Sequence, residues 1–254
     1  MKILLAQNMI YVPTHGGASK ANRLLLEGLA AKGHSCRVVA PAFGTQVSVK
    51  THEQFLAGLD ARGIRLISAS SEVAVFKYNG VEVHAVTNSS RLHDHVDSQL
   101  REFEPTWTLV SDDDPGQLML EAALEASPSR VVYLVHTPQA LPFGPRGFLQ
   151  NQTKTNLVKQ TAGIITVSNH IKEYIKQWSD LDSVALAFPV YGSGPFPDLG
   201  CFDKGYVTLI NPCAVKGIFI FLELARRMPE VEFAGVPTWG TTSADRSAMG
   251  QLPN

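Results

Sequence analysis

The chain has 254 residues and a formal net charge of -1, and 44% of its residues are apolar while 18% are charged. This composition is typical of a globular protein and not of a disordered one, and the scattered Lys and Arg argue against a nucleic-acid binder, which needs a clustered basic surface. No apolar run reaches the ~20 residues of a membrane-spanning helix and the first residues lack a signal-peptide core, so we expect a cytoplasmic protein.

The chain begins with the pattern of a strand, a glycine loop, a helix and a second strand. Lys2 to Gln7 is an apolar strand followed by a loop with Gly16 and Gly17, after which apolar residues recur at helical spacing. The helix ends near Gly33, and Cys36 to Ala40 forms the next strand. Such a connection is almost always right-handed and joins parallel strands, which predicts the glycine loop at the carboxyl edge of a sheet.

A hairpin and then further alternating elements follow. Valines alternate with other residues between Ile64 and Thr87 around Asn79-Gly80, a pair that suits a two-residue turn, which predicts a hairpin at the domain edge. The later elements are expected at residues 92–104 (helix), 107–111 (strand), 117–126 (helix), 130–136 (strand), 155–160 (helix), 163–167 (strand) and 171–178 (helix). This alternation of strands and helices predicts an α/β domain over residues 1–188, with a Rossmann-like, doubly wound parallel sheet.

A change in composition separates a second region from this domain. Proline and glycine interrupt both the alternating pattern of a strand and the helical spacing of apolar residues between Phe188 and Lys204, which predicts a linker at residues 189–205. A strand from Tyr206, a helical stripe from Ile218 and a strand ending at Val236 then begin a second Rossmann-like domain over residues 206–254. These ~50 residues are too few to cover both faces of a parallel sheet, so we expect a fragment, or a unit that packs on the first domain or on a partner.

Four segments share their order and spacing with one family of enzymes, although none is specific by itself. They are Lys2-Ile3-Leu4-Leu5 followed by His15-Gly16-Gly17-Ala18, Val135-His136-Thr137-Pro138, Gly163 to Ser168, and Val207 to Pro212 followed by Lys216-Gly217. Over nearly the whole chain, this series resembles the retaining glycosyltransferases of the GT-B fold, in the glycogen-synthase-like and mannosyltransferase-like family numbered four.

The resemblance implies two Rossmann-like domains facing each other across a hinge near Pro189, of which the second, donor-side domain has only its opening here. It implies a hexosyltransferase that moves a hexosyl group from a nucleoside diphosphate sugar to a small-molecule or glycan acceptor with retention, without a metal or another cofactor. Two features depart from the family pattern. Asn211 stands where the family usually has an arginine, and the family's paired glutamates would lie beyond Asn254.

Two places in the first domain are candidates for ligand contacts. Gly16 and Gly17 permit close approach of the backbone, and the amides of the following helix favour an anion, although any doubly wound domain can use such a tight turn. The resemblance favours contact with the donor diphosphate. His136 follows an apolar strand and is expected at the carboxyl edge, where an imidazole can donate to a sugar hydroxyl or transfer a proton. The resemblance makes it the catalytic-site candidate that contacts the transferred sugar.

Three more candidates for donor binding lie in the second region. Lys216 is expected in the first turn of a helix, where its ammonium could meet a diphosphate that the helix dipole also favours. Thr241 and Thr242 follow Trp239-Gly240 at the next strand end and could add hydroxyl contacts, although a plain loop explains them equally well.

Two alternatives remain open from the sequence. Asp112-Asp113-Asp114 at a strand end would suit a single-domain, manganese-dependent transferase, but capping of the following helix also explains aspartates there. A truncated or partner-subunit GT-B domain could instead bind sugar or nucleotide without turnover, alone, as a homo-oligomer, or with a chain that completes the donor domain. The three widely spaced cysteines indicate neither a disulfide framework nor a zinc site.

Overall fold

A computed structural model of the chain describes residues 1–14, 16–44, 51–188, 195–200, 205–238 and 240–254. His15, Trp239, the expected hinge at Pro189 and most of the expected linker lie outside these residues. The chain divides into two compact units, Met1–Gly192 and Ser193–Asn254. In the described ranges, none of the helices has both the length and the apolar character needed to span a bilayer.

The described residues of the first unit alternate strands with helices along the chain. The strands are β1 (Lys2–Ala6), β2 (Ser35–Pro41), β3 (Leu66–Ala69), β4 (Val73–Tyr78), β5 (Val81–Val86), β6 (Trp107–Ser111), β7 (Val131–Val135), β8 (Gly163–Thr166) and β9 (Val184–Ala185). The helices are α1 (Gly17–Ala31), α2 (His52–Asp60), α3 (Leu92–Phe103), α4 (Leu118–Ala126), α5 (Gln152–Lys159) and α6 (Asn169–Ser179).

These strands form one sheet in the order β3-β4-β5-β2-β1-β6-β7-β8-β9. All neighbours are parallel except the pairs β3/β4 and β4/β5. The predicted α/β class is therefore confirmed, and the arrangement is consistent with a Rossmann-like fold. The predicted hairpin is also present, with Asn79 and Gly80 both at positive φ (48° and 83°), as a two-residue turn of this kind requires. The second strand of this hairpin, β5, pairs in parallel with β2, so the hairpin belongs to the main sheet.

Two hydrophobic clusters cover the two faces of this sheet. Alternate residues of β1 point to opposite faces, so Leu4 and Ala6 belong to one cluster and Ile3 and Leu5 to the other. Burying a Leu or Ile side chain contributes roughly 1.5–3 kcal/mol, and such burial on both faces is what holds a parallel sheet between helical layers.

The second unit has a small sheet of its own. β10 (Val207–Ile210) pairs in parallel with β11 (Phe233–Val236), and α7 (Ile218–Arg227) connects them. The chain from Val207 therefore does not extend the first sheet. A further helix, α8 (Ser243–Met249), follows β11 and was not expected from the sequence, although Thr242 and Asp245 form a complete capping box at its start.

Candidate functional site

The candidate site lies at the switch point of the first sheet. The chain enters at β1, continues to β2 on one side, and later crosses to β6 on the other side. In open parallel sheets, ligands bind in the crevice that this reversal leaves at the carboxyl ends of the strands. The residues that follow β1, β6 and β7 meet at that edge.

His136, which follows β7, is held there by a buried network. Its Nδ1 lies 2.8 Å from Asp112 Oδ1, and its Nε2 lies 2.9 Å from Asn22 Oδ1. The second oxygen of Asp112 accepts hydrogen bonds from the backbone N–H groups of His136 and Thr137, at 2.8 and 3.2 Å. The Asp112 and His136 side chains are only 2% and 6% exposed, so this contact is shielded from water.

The polarity of the network assigns the hydrogens on the His136 ring. The Met9 carbonyl can only accept, so the Gln7 amide must donate to it, at 2.6 Å, and must present its oxygen to Asn22. Asn22 then donates from its nitrogen to Gln7 and leaves its own oxygen for His136 Nε2, which must carry a hydrogen. Asp112 Oδ2 accepts two backbone N–H bonds, which favours the carboxylate form, and a carboxylate Oδ1 can only accept, so we expect a hydrogen on Nδ1 as well.

The glycine turn lies beside this network. Gly16 adopts φ 104° and ψ 169°, a conformation essentially restricted to glycine, and it precedes α1 as an N-cap that has no side chain to bind the first amides. A cavity of about 320 Å³ is lined by Gly17, Ala18, Ala21, His136, Val167 and Phe188, and we name it the Gly17 cavity. The predicted glycine turn and His136 are therefore brought together.

The three consecutive aspartates have three different partners. Asp112 binds His136, Asp113 Oδ1 accepts a 2.9 Å bond from the Asn8 backbone N–H, and Asp114 Oδ2 accepts a 3.0 Å bond from the Met119 N–H in the first turn of α4. Capping explains Asp114 but not its two neighbours. Burial raises the pKa of Asp113 to about 6, and the adjacent Asp112 carboxylate acts in the same direction.

A second cavity of about 320 Å³ also borders His136. It is lined by Asp113 and Gln117 among polar residues and by Met9, Leu141, Phe148 and Leu149 among apolar ones, and we name it the Asp113 cavity. His136 and Ala18 border both cavities.

The candidates of the second unit lie around β10 and β11. Lys216 is exposed in a 3-10 turn, Ala214–Lys216, and Gly217 follows at φ 83° as the N-cap of α7, so Lys216 lies just before the helix and not in its first turn. Thr242 uses its hydroxyl to cap α8, whereas the Thr241 hydroxyl lies 3.4 Å from Asn211 Oδ1. Asn211 is buried at the position of the family's arginine and accepts a 2.9 Å bond from the Gly240 N–H.

Sequence reasoning missed the residues that hold His136 in place. Asn22 and Gln7 were not singled out, and Asp112 was considered only as a helix cap or a metal ligand. One signal was available, because Asn22 is a polar residue next to Ala21 on the face of α1 that is buried. Neither known protein families nor curated proteins gave a match to the sequence.

Proposed function

We propose that the chain is a retaining glycosyltransferase of the GT-B fold that takes a hexosyl group from a nucleoside diphosphate sugar. The observation that carries the proposal is the meeting of the α1 N-terminus and His136 at the Gly17 cavity, at the switch point of the sheet. Unbonded N–H groups at a helix start bind anions, and the helix dipole contributes about 0.3–1 kcal/mol for a negative charge there. A diphosphate is the anion that the resemblance leads us to expect.

In this proposal the protein acts mainly on the leaving group. The amides of Gly17 and Ala18 would stabilise the charge that develops on the diphosphate. Lys216 is a separate donor-binding candidate of the second unit, and its exposed ammonium could form a charge-assisted hydrogen bond with a phosphate. His136 would position the sugar. A hydroxyl of the sugar can bond to His136 Nε2 only by replacing Asn22 Oδ1, which lies 2.9 Å away.

Binding without turnover is the second candidate, and the contact between His136 Nε2 and Asn22 Oδ1 favours it. Both nitrogens of His136 already have partners within the protein, which suits a residue that organises the site better than one that transfers a proton. In this case the chain would bind a nucleotide or a nucleotide sugar and leave it unchanged.

A thermal-shift and calorimetry series tests the proposal. UDP, GDP and ADP, and their glucose and mannose conjugates, are added to the whole chain with and without manganese. A bound nucleotide at 100 times its Kd stabilises the fold by about 2.7 kcal/mol. Lys216→Ala should weaken binding by roughly 10- to 100-fold, as expected for a hydrogen bond to a charged group, whereas Lys32→Ala, an exposed lysine at the far end of α1, should leave binding unchanged.

The outcomes separate the candidates. Transfer or hydrolysis of a bound donor by the wild-type chain rejects the binding-only function. Stabilisation without turnover rejects the enzyme, and activity that a chelator abolishes would support the manganese-dependent alternative. If no nucleotide in the series stabilises the folded chain, the proposal is wrong.

A further inference from the structure

A third cavity of the first unit, which we name the Trp178 cavity, lies between the loop before α5, α5 itself and the C-terminal end of α6. It is lined by residues 142–145, 150–152 and 177–180 and by Thr155 and Lys159, and its volume is about 710 Å³. Among the described residues, its lining shares Pro142 with the Asp113 cavity and no residue with the Gly17 cavity. The Trp178 cavity is therefore distinct from the site around His136.

Trp178 gives this cavity an exposed aromatic surface. It continues the buried stripe of Ile171, Tyr174 and Ile175 along α6, but 46% of its own surface is exposed. Its ring packs against that of Tyr174, with the centroids 6.3 Å apart. Gly144, at φ 75°, passes so close that a Cβ there would lie 2.9 Å from Trp178 Cγ and would overlap the Tyr174 hydroxyl. The protein thus fixes the indole in position and leaves part of it open to the cavity.

Hydrogen bonds fix the loop that forms one wall of the cavity. The Tyr174 hydroxyl donates to the Phe143 carbonyl at 3.1 Å and accepts from the Arg146 N–H at 3.0 Å. The Pro142 carbonyl accepts from the Asn151 N–H at 2.9 Å. A cavity whose wall is already ordered loses little conformational freedom when a ligand binds, which favours binding.

Amide side chains supply much of the polar surface of the cavity. Four of them lie on the lining, those of Gln150, Asn151, Gln152 and Gln177. The Gln150 nitrogen donates to the Gly144 carbonyl at 3.2 Å, and the Asn151 oxygen caps α5. Each of these bonds uses one end of the amide, and Gln177 is exposed in the last turn of α6. Because an amide both donates and accepts, as a sugar hydroxyl does, adjacent amides match a row of hydroxyls.

The charges around the cavity balance one another. Among the described residues of the lining, Lys159 and Asp180 are charged, and both are exposed. The Asp180 carboxylate pairs with the Lys176 ammonium at 2.8 Å, and Lys176 also lies 3.3 Å from Asp182. The lining therefore has no excess of positive charge to attract a phosphate, and an uncharged ligand fits it better.

We propose that the Trp178 cavity binds a short neutral oligosaccharide. The C–H face of a sugar ring would stack on the indole, whose π face carries the negative part of the aromatic quadrupole, and the hydroxyls would bond to the amides. A volume of about 710 Å³ lies well within the range of small-molecule pockets, roughly 300 to 1,000 Å³, and suits a few linked sugar rings better than one. The inference goes beyond the proposed function and does not depend on it.

Titration of the nitrogen-15-labelled whole chain, followed by NMR, tests the inference. The probes are maltotriose, cellotriose, mannotriose and chitotriose, with methyl glucoside, adenosine and hexaproline for comparison. We expect at least one trisaccharide to bind with a Kd of about 0.1–10 mM and to shift the indole N–H signal of Trp178, which Trp178→Phe identifies. Methyl glucoside should bind at least about fivefold more weakly, since it fills less of the cavity.

Variants on the lining, each with a matched control, locate the binding. Trp178→Ala should weaken trisaccharide binding by about tenfold or more, whereas Phe219→Ala, at an exposed aromatic residue of α7, should not change it. Gln177→Ala should weaken binding by about two- to tenfold, as expected for one hydrogen bond. Its control is Gln160→Ala, just after α5 and outside the lining. Because Gln177 is exposed, its variant keeps the test valid even if Trp178→Ala does not fold.

Three results would overturn the proposal: no binding of any trisaccharide, binding that leaves the Trp178 indole signal unchanged, or unchanged affinity in both Trp178→Ala and Gln177→Ala. Adenosine or hexaproline binding at Trp178 in place of the sugars would also overturn it, and would assign the cavity to a nucleobase or to a proline-rich peptide. Failure of the nucleotide series leaves this proposal standing, and failure of the trisaccharides leaves the proposed function standing.

Discussion

Substitution of Asp112 separates its charge from its hydrogen bonds. Asp112→Ala removes the partner of His136 Nδ1 and of two backbone N–H groups, and it leaves a positive ring that is only 6% exposed. Removing one partner of a buried ion pair costs about 3–5 kcal/mol. In Asp112→Asn the amide oxygen can still accept from the backbone N–H groups of His136 and Thr137. The amide nitrogen can donate to His136 Nδ1 once that nitrogen has lost its hydrogen and the ring is neutral. Only the charge is lost, so we expect a cost of about 1–2 kcal/mol.

Urea unfolding at pH 7 measures both variants against the wild type and against Asp60→Ala, which removes an exposed carboxylate and should change stability by less than about 0.5 kcal/mol. Nitrogen-15 NMR of the His136 ring provides an independent readout. We expect hydrogens on both ring nitrogens in the wild type and on Nε2 alone in Asp112→Asn. Equal destabilisation by alanine and asparagine, or a wild-type ring with one bare nitrogen, would refute the reasoning.

Three further predictions concern stability. Burial raises the pKa of Asp113 from 3.8 to about 6, so between these values the native state binds more protons than the unfolded state and its stability falls as the pH rises. Asp113→Asn should therefore stabilise the protein by ~1–2 kcal/mol at pH 7.5 and should not stabilise it at pH 3.5. Urea unfolding at the two pH values measures this difference. Burial first, and then neighbouring His84, lowers the pKa of His95 from 6.5 to about 4, so stability should fall as the pH drops through that interval, and His95→Gln should flatten this slope. Gly16→Ala should cost roughly 1–3 kcal/mol because of its φ of 104°, and should weaken nucleotide binding, whereas Gly28→Ala, inside α1 with free space around it, should stabilise by about 0.5–1 kcal/mol.

Each of these has a result that would count against it. Asp113→Asn should show no gain at pH 7.5 if the carboxyl is solvated, and an unchanged slope in His95→Gln would mean that the imidazole titrates as it does in the unfolded chain. If Gly16→Ala melts at the wild-type temperature, the turn is not strained as described.

The sheet could be predicted because its signals are local. Asn79-Gly80 determines a hairpin turn by its own backbone preference, and the alternation of buried residues in β1 follows from the period of a strand. Helix α2 was missed although Thr51 accepts a capping bond from the Gln54 N–H, since its apolar pattern spans only nine residues.

The site could be predicted only in part because its contacts join distant residues. The Asn22 amide reaches Ser111 and His136, which lie 89 and 114 residues away in the sequence. No local pattern specifies such pairs, and the run of three aspartates suggested a common role where the structure has three separate ones. The edge of the sheet was predictable from topology, and the partners at that edge were not.

Asn22 also links the two ends of the site mechanically. It lies in the same helix as Gly17, five residues later, so α1 cannot move along its axis without moving the amide that holds His136. A displacement of about 1.5 Å, the rise of one helical residue, would be enough to break a 2.9 Å contact. If a ligand at the helix start displaces α1 in this way, its binding and the hydrogen-bonding state of the imidazole are thermodynamically coupled, and each affects the other by the same free energy.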